Sequence, residues 1–277
     1  VLCRVGNTFG FTPWKSLIIR VSNIVPACPM IRFKENEDIS NENSILVSSP
    51  AKQGKDIKDY YLLMNPVLSI KEQIEFTIHE TDNFNTSLDK LRMIAASADH
   101  GEEIAVTQDG EIINYINDER KASVIQNDKD NISEKLYYND DEEVELKEND
   151  NLKVTFIPDG SGYVVMLLRT PIFKDNIAGT IGTSNGKSYP FYSRDNSNIV
   201  CIKLKENNLS EFYINIHQDI TINQIAVVNN LNTYEASNLN LKSAEINSRD
   251  VSKYLFESDE NYVYIDNNNE LNLIFEN

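Results

Sequence analysis

Two stretches of this sequence decide the fold: DNISEKLYYNDDEEVELKENDNLKVTF at 130–156 and RDVSKYLFESDENYVYIDNNNELNLIF at 249–275. They align without a gap at a constant offset of 119 residues, so that Ile132 pairs with Val251. The apolar positions between the ends match in register, and so do a serine near the start and an asparagine in the turn. A repeat of this length predicts a duplicated structural unit.

A second, weaker match lies upstream of both stretches. The segment 75–78 (EFTI) corresponds to 211–214 (EFYI), and 91–95 (LRMIA) corresponds to 222–226 (INQIA). Both matches occur in the same order in the two copies. Each copy is therefore expected to contain a strand, a second strand that ends in Ile-Ala, a variable connection, one short turn and a closing hairpin.

Alternation of apolar and polar residues shows that the repeated elements are β-strands. The runs 74–79, 152–156 and 212–216 alternate with period two, which is typical of antiparallel strands with one buried face. Turn residues such as Asp109-Gly110 and Asn185-Gly186 separate these runs. The sequence predicts an all-β fold made of two duplicated antiparallel β-sandwich units plus an N-terminal β segment.

The domain boundaries follow from the extent of the repeat. We expect an N-terminal β segment at 1–57, a first β-sandwich repeat unit at 58–157 and a second at 158–277. The Pro-Asp-Gly-Ser-Gly stretch at 158–162 suggests the boundary between the two units. Helical structure is expected only as one turn in each copy, at 132–136 and 251–255.

Charge and hydropathy exclude several classes of partner. The net charge of −17 repels nucleic acid phosphates and anionic lipid surfaces, so we expect no nucleic acid partner. The acidic surface serves either solubility or cation binding. The longest apolar run, 163–168, is far shorter than a transmembrane helix, so no membrane insertion is expected. Because residue 1 is valine, we expect a processed product or a fragment. No signal peptide remains in the sequence, which leaves open a signal peptide that is removed before Val1.

Three cysteines bear on the compartment of the protein. Cys3 and Cys28 flank an apolar segment and are the candidate disulfide, which would suit an exported protein; two free thiols are the alternative. Cys201 lies in an alternating run and is expected to be a buried strand thiol. The chain contains no CxxC motif.

The segment LDKLRMIAASADH, from Leu88 to His100, resembles a motif of the form LDxLxLxAxDH. This motif is found in an uncharacterised family of secreted bacterial β-modules, often within large multi-module extracellular proteins. The following stretch 103–113 fits the strand, Asp-Gly turn and strand of that family. The sequence departs from the pattern at Ser97-Ala98, where the family has one residue before Asp-His. The resemblance implies export, an extracellular or cell-surface location and a β-rich scaffold, but no reaction.

Few residues suggest chemistry. The pair Asp99-His100 would suit a general base or a metal ligand, but it equally suits a structural turn before Gly101. The Gly-rich run 179–188 lacks P-loop spacing because Ile181 stands where a glycine is needed, so it predicts a hairpin turn. No catalytic constellation is visible, and we expect no enzymatic activity.

Acidic and aromatic clusters provide the candidate binding residues. Asp140 and Asp259, equivalent positions of the two copies, are the candidate ligands for a Ca²⁺ ion, and a solvated acidic face is the alternative. No other cofactor is expected. Tyrosines on a sheet face could stack on sugars, although cross-strand packing also explains them. These are Tyr60, Tyr61, Tyr137, Tyr138, Tyr189, Tyr192, Tyr262 and Tyr264.

Together these features predict an extracellular or surface structural or adhesion protein, acting as a subunit of an assembly or filament. Its expected partners are other copies of itself or other surface proteins, and glycans. The N-terminal segment 1–50 is expected to pair with the sheet edge of a neighbour. The alternative function is a carbohydrate-binding module of a secreted enzyme, and the third is an enzyme whose site is not visible in the sequence.

Overall fold

A computed structural model describes most of the chain, and before residue 73 it describes only the backbone of the strands. The described residues are 3–4, 13–14, 16–23, 30–32, 44–48, 57–63, 73–79, 86–97, 99, 101–116, 124–127, 130–137, 142–157, 162–169, 177–192, 198–205, 209–257 and 261–276.

Strands account for nearly all of the regular structure, so the prediction of an all-β fold is confirmed. One helical turn, α1 (Ser133–Leu136), and one 3₁₀ turn (Ser252–Tyr254) interrupt them. The strands are β1 (Cys3–Arg4), β2 (Pro13–Trp14), β3 (Ser16–Asn23), β4 (Met30–Arg32), β5 (Ser44–Ser48), β6 (Ile57–Leu63), β7 (Gln73–His79), β8 (Thr86–Ser97), β9 (Glu102–Val106), β10 (Ile112–Ile116), β11 (Val124–Asn127), β12 (Asp130–Asn131), β13 (Val144–Leu146), β14 (Asn151–Thr155), β15 (Tyr163–Arg169), β16 (Ile177–Thr183), β17 (Ser188–Tyr192), β18 (Asn198–Lys203), β19 (Glu211–Ile216), β20 (Ile220–Val228), β21 (Glu235–Ile246), β22 (Arg249–Asp250), β23 (Val263–Ile265) and β24 (Glu270–Glu276).

The chain divides into two compact units that do not follow each other along the sequence. Unit 1 contains Val1–Ile45, Lys52–Asp99 and Tyr234–Asn277, and unit 2 contains Leu46–Ala51 and His100–Thr233. Unit 1 is therefore built from both ends of this chain, and nearly all of unit 2 is inserted between them.

Unit 1 contains antiparallel strands in the order β6-β3-β8-β21-β24-β7-β4. In addition, β22 pairs with β21 and β23 pairs with β8. Buried apolar residues alternate along β7 and β24, as the period-two pattern predicts. Phe76 and Phe275 stack in this unit, with ring centroids 5.6 Å apart, and both are 1% exposed.

Unit 2 contains two sheets that share one hydrophobic core. The first is six-stranded, in the order β12-β11-β14-β19-β16-β17, and the second has the order β13-β20-β15-β18. The first sheet contributes Phe191 and Phe212 to the core, and the second contributes Met166 and Ile222. The alternation of the sequence therefore places one face of the six-stranded sheet on this core.

The hairpin of β9 and β10 covers the other face of the second sheet. Ile113 and Tyr115 of the hairpin pack with Tyr163, Val165 and Cys201 in a second apolar cluster. Successive residues of β15 thus alternate between the two clusters, and the strand is buried on both faces.

The repeat of the sequence is also a repeat of strand pairing. The elements from β11 to β14 recur, at the same offset, as the second half of β21 and the elements up to β24. Ile125 pairs with Val154, and the equivalent Ala244 pairs with Leu273. We call residues 124–156 the first closing segment and residues 235–276 the second closing segment.

One buried serine anchors each closing segment in the same way. The Ser133 hydroxyl accepts a 2.8 Å hydrogen bond from the Ile125 amide, and the Ser252 hydroxyl accepts a 2.8 Å bond from the Ala244 amide. The amide of each serine in turn donates to the side chain two residues before it, Asn131 in one copy and Asp250 in the other. The predicted single turn after an Asn or Asp is therefore present in both copies.

Two further sets of strands share their pairing pattern, because β3 pairs with β6 and β8 as β15 pairs with β18 and β20, and β7 pairs with β4 as β19 pairs with β16. We call the set of β3, β4, β6, β7 and β8 the first scaffold half and the set of β15, β16, β18, β19 and β20 the second scaffold half. The predicted match of 75–78 with 211–214 is reproduced by the pairing, because Phe76 faces Leu273 and Phe212 faces Val154.

The second upstream match identifies equivalent strands but not their register. Leu88 of β8 pairs with Val263, and Ile222 of β20 pairs with the equivalent Val144, so the structure aligns Leu88 with Ile222, where the sequence suggested Leu91. An extra residue follows at the same place in each strand, Asp89 in β8 and Asn223 in β20. Both are buried, and these bulges are equivalent features of the two copies.

The two repeats are interleaved, which alters the expected domain organisation. The first scaffold half is closed by the second closing segment, and the second scaffold half is closed by the first closing segment. A boundary at 157/158 would divide the shared core of unit 2, and a boundary at 57/58 would separate β3 from its partner β8. The structure therefore does not divide into 1–57, 58–157 and 158–277, and neither unit corresponds to a single sandwich repeat.

No helix within the described residues is long and apolar enough to cross a lipid bilayer.

Candidate functional site

The six-stranded sheet of unit 2 presents a polar face on the side away from its core. The side chains on this face come from the alternate positions of β14, β16 and β19 and are half-buried or exposed. We call this surface the outer polar face. It consists of Asn151, Lys153, Thr155, Thr180, Gly182, Glu211, Tyr213 and Asn215.

A row of hydrogen-bonded amide and hydroxyl groups crosses this face from strand to strand. Asn151 Nδ2 donates to Asn215 Oδ1, and Asn215 Nδ2 donates to Thr180 Oγ1 at 3.5 Å. His217 Nε2 lies 3.4 Å from the same threonine hydroxyl. Groups of this type both donate and accept hydrogen bonds, which suits them to polar, uncharged ligands.

Tyr213 lies in the next row, between a charged pair and a glycine. The Lys153 ammonium lies 5.9 Å from the ring centroid and 2.9 Å from a Glu211 carboxylate oxygen. The Tyr213 hydroxyl donates to the other oxygen of Glu211 at 3.3 Å. Gly182 is the cross-strand neighbour of Tyr213 in β16, and a Cβ built there would approach only the Asn215 amide, at 3.7 Å.

The charges of this row stabilise each other. The hydrogen bond from Lys153 lowers the pKa of the Glu211 carboxyl, and the same bond raises the pKa of Lys153. Both groups are at the surface, so their mutual stabilisation is screened by water and salt. The main effect of Lys153 and Glu211 is to hold the Tyr213 ring in place. Gly182, the neighbour of Tyr213 on β16, has no side chain that could cover the ring.

An aromatic ring beside a row of amides and hydroxyls is the combination that recognises sugars by stacking and hydrogen bonding. Tyr213 is not among the eight tyrosines that the sequence suggested for this role. The signal was present in the alternation of 212–216, which places Tyr213 and Asn215 on the face opposite Phe212.

A second polar cluster lies where the β9–β10 hairpin meets the second sheet of unit 2. Lys203 Nζ lies 3.1 and 3.0 Å from the two carboxylate oxygens of Glu111, and the Tyr163 hydroxyl donates to the same carboxylate at 3.0 Å. The hydrogen bonds that the Lys203 ammonium donates, first to Tyr163 and then to Glu111, raise the pKa of Lys203. Burial raises the pKa of Tyr115, whose hydroxyl donates to Glu103 at 2.8 Å.

The fully buried Asn114 of β10 binds the connection that leads from β20 to β21. Its backbone carbonyl accepts a 2.9 Å bond from the Leu231 amide, and its Oδ1 accepts a 3.3 Å bond from the Thr233 amide. Its Nδ2 donates to Glu102 at 2.5 Å and to the Thr233 hydroxyl at 2.7 Å. We call residues 229–234 the hinge connection.

Most residues that the sequence singled out for binding lie outside the described part. Asp140, Asp259, Cys28 and His100 are not described, and Cys3 is described by its backbone alone. The Ca²⁺ site and the disulfide therefore stay predictions. Among the described residues, no group of three or more His, Cys, Asp or Glu side chains is arranged to hold a metal ion.

The other predicted features are placed by the structure. Asp99 is exposed. Gly186 takes a φ of +80° in a hairpin turn closed by the Thr183 amide and the Lys187 carbonyl, 3.0 Å apart, so the hairpin interpretation of this glycine-rich run is confirmed. Cys201 is fully buried, as expected for a strand thiol, and burial raises its pKa far above the ordinary thiol value.

The described tyrosines of the predicted set do not form one platform. Tyr137 and Tyr189 pack partly buried against the core of unit 2. In unit 1, Tyr264 is 61% exposed and lies edge-on to Tyr262, with ring centroids 6.4 Å apart. The side chains of Tyr60, Tyr61, Tyr138 and Tyr192 are outside the described part of the structure.

Comparison with protein-family models, with curated proteins and with solved structures finds no match.

Proposed function

We propose that the protein is an extracellular or cell-surface structural or adhesion protein whose copies associate into an assembly. The interleaving of the repeats supports this most directly, since each scaffold half is completed by strands from outside its own repeat. Completion of a sheet by strands from elsewhere is a general way in which polypeptides join each other. The resemblance of Leu88–His100 to a secreted β-module family supports the location.

Light scattering and electron microscopy of the full chain test the association. We expect species larger than a monomer, in a proportion that increases with protein concentration. A chain that stays monomeric at every concentration, salt and pH examined would refute assembly.

Surface labelling of intact producing cells tests the location. We expect the protein to be labelled from outside or recovered from the medium. Recovery from the cytosol alone would refute the extracellular proposal and would leave the association measurement unaffected.

A carbohydrate-binding module of a secreted enzyme is the second candidate function, and the outer polar face supports it. Tyr213 offers an aromatic ring whose neighbour on β16 is Gly182, and the adjacent row of Asn215 and Thr180 offers donors and acceptors. The C–H groups of a sugar ring can pack on the electron-rich face of such an aromatic ring. Neutral glycans fit this surface better than acidic ones, because the net charge of the chain is −17.

A glycan array probed with the full chain and two variants tests this candidate. Tyr213→Ala is expected to abolish binding, whereas Tyr264→Ala, which removes an exposed tyrosine of unit 1, is expected to leave it unchanged. Gly182→Val should weaken binding as well, because its side chain would occupy the space beside the ring. Absence of binding by the unaltered chain would refute the candidate.

A further inference from the structure

The two closing segments are built alike, although they close different scaffold halves. In each, a strand pairs with the edge of β7 or β19 in the same register, so that Leu273 faces Phe76 and Val154 faces Phe212. An aromatic pair recurs at the equivalent positions, with centroids 5.6 Å apart for Phe76 and Phe275 and 5.7 Å apart for Phe156 and Phe212.

The short strand of each closing segment also meets its scaffold half in the same way. Val263 pairs with Leu88 and Ile265 with Thr86 in unit 1, and the same relation joins β13 to β20 in unit 2. The pairing that holds a closing segment therefore has the same register in the two units. A second copy of this chain carries an identical second closing segment, which presents the same pattern to the first scaffold half.

We propose that the second closing segment also closes the first scaffold half of another copy of this chain, so that copies join by exchange of residues 235–276. This inference rests on the proposed function, since it specifies how the association would occur. In the exchanged state every contact of unit 1 is retained, and only the hinge connection takes a new course. Exchange of an identical element between copies is a low-cost route to association for this reason.

The hinge connection has the features of an exchange point. It consists of six residues between β20 and β21, and Asn232 within it takes a φ of +57°. Asn114 holds it in its closed course through the bonds to Leu231 and Thr233. Loss of the Asn114 side chain removes the Thr233 bonds without touching unit 1, so it should favour exchange.

Disulfide trapping between full-length chains tests the proposal. Thr77 and Asn272 face each other in β7 and β24, with a 3.0 Å hydrogen bond between their side chains. One chain carries Thr77→Cys and the other carries Asn272→Cys, in a background with Cys3→Ser and Cys28→Ser. After the two chains are refolded together from urea and oxidised, a covalent heterodimer is expected.

Two control combinations of cysteine variants show which strands the trapped disulfide joins. The double variant Thr77→Cys/Asn272→Cys is expected to form the bond within one chain when it is refolded at low concentration. Chains with Thr77→Cys and Lys153→Cys are expected not to cross-link, although Lys153 is the position in the first closing segment equivalent to Asn272. Cross-linking of that pair instead of the first would overturn the assignment of the exchanged segment.

The hinge variants give a second readout. Asn114→Ala is expected to increase the covalent heterodimer about fivefold, the effect of losing roughly one net hydrogen bond. Thr233→Val, which keeps the side-chain shape at an exposed position, is also expected to increase the covalent heterodimer. This variant tests the hinge connection if Asn114→Ala does not fold. No heterodimer in any of these mixtures, with the intrachain bond formed, would overturn the proposal. If the unaltered chain still assembled in light scattering, the proposed function would stand without exchange.

Discussion

The paired serines provide a sharp test of the repeat, because one substitution can be made at two equivalent sites. Ser133→Ala and Ser252→Ala each remove a hydroxyl that accepts a 2.8 Å hydrogen bond from a strand amide, Ile125 in one case and Ala244 in the other. Both serines are buried, at 4% and 9% exposure, so water does not readily replace the lost acceptor.

The expected cost follows from what each substitution leaves behind. An amide N–H without a partner in a buried site costs about 1–3 kcal/mol, and alanine provides no acceptor in place of the lost hydroxyl oxygen. Because the register and the bond length are the same in the two copies, the two substitutions should cost the same amount within about 0.5 kcal/mol. For units of this size each kcal/mol lowers the melting temperature by about 2–4 °C.

Urea denaturation monitored by circular dichroism, together with calorimetry, measures both variants. Ser188→Ala, at an exposed strand position, is the control and should change the free energy of unfolding by less than about 0.5 kcal/mol. Losses at Ser133 and Ser252 no larger than the control would refute the anchoring role of the hydroxyls. A large loss at one site alone would refute the equivalence of the closing segments.

Three further predictions concern pH, connectivity and thiol reactivity. Hydrogen bonds from Ser252 hold the pKa of Asp250 below its ordinary value of 3.8, so this carboxylate stabilises unit 1 at neutral pH. The stabilisation is lost as the pH falls through the lowered pKa. Asp250→Asn should therefore remove that part of the acid sensitivity, measured in thermal melts below about pH 4. In double-mutant cycles with leucine, Phe76 and Phe275 should couple by about 0.5–1.5 kcal/mol, whereas Phe76 and Phe156 should be additive within about 0.5 kcal/mol; the reverse result would contradict the interleaving. Cys201 should resist alkylation in the folded chain and react once urea unfolds it, measured by mass spectrometry with Cys3 and Cys28 replaced by serine, and rapid native labelling would contradict its burial.

The sequence predicted those features of the fold that depend on local pattern. The offset of 119 residues aligns single hydrogen bonds, such as those to Ser133 and Ser252, because period-two burial and a turn of fixed length set the register. The match of β8 with β20 was shifted by three residues, because it aligned the Ile-Ala pairs at 94–95 and 225–226, whereas the structure aligns Leu88 with Ile222.

The connectivity could not be predicted from the same pattern. Phe76 requires an apolar partner at one position of a neighbouring strand, and both Leu273 and Val154 meet that requirement. Alternation specifies which face of a strand is buried, but it does not specify which of two equivalent strands is the neighbour. The outer polar face was missed for a related reason, since Tyr213 gains its environment from Lys153 and Gly182, which are distant in sequence.

The outer face contributes little to the choice between the two pairings. The observed arrangement places Lys153 beside Glu211, but Glu75, which is equivalent to Glu211, would meet the same lysine if β7 paired with β14. An exposed ion pair of this type contributes about 0–1 kcal/mol. This ion pair therefore does not decide between the pairings, and another difference between the two copies is needed.

The β9–β10 hairpin supplies that difference. It immediately precedes the first closing segment, and Ile113 and Tyr115 bury themselves against Tyr163 and Val165 of the second scaffold half. The turn residue Glu111 adds hydrogen bonds to Lys203 and Tyr163, so the hairpin is bound to that half by polar as well as apolar contacts.

Because the β9–β10 hairpin is bound to the second scaffold half, the first closing segment that follows it has a high effective concentration for that half. The first scaffold half is then left to the second closing segment, which arrives through a hinge connection held by the same hairpin at Asn114. Among the described elements, this hairpin alone lies between a scaffold half and the closing segment that follows it in the chain. The second copy has no counterpart of the hairpin, because only six residues separate β20 from β21. The duplication alone would therefore allow either pairing, and the hairpin inserted between its parts selects the interleaved one.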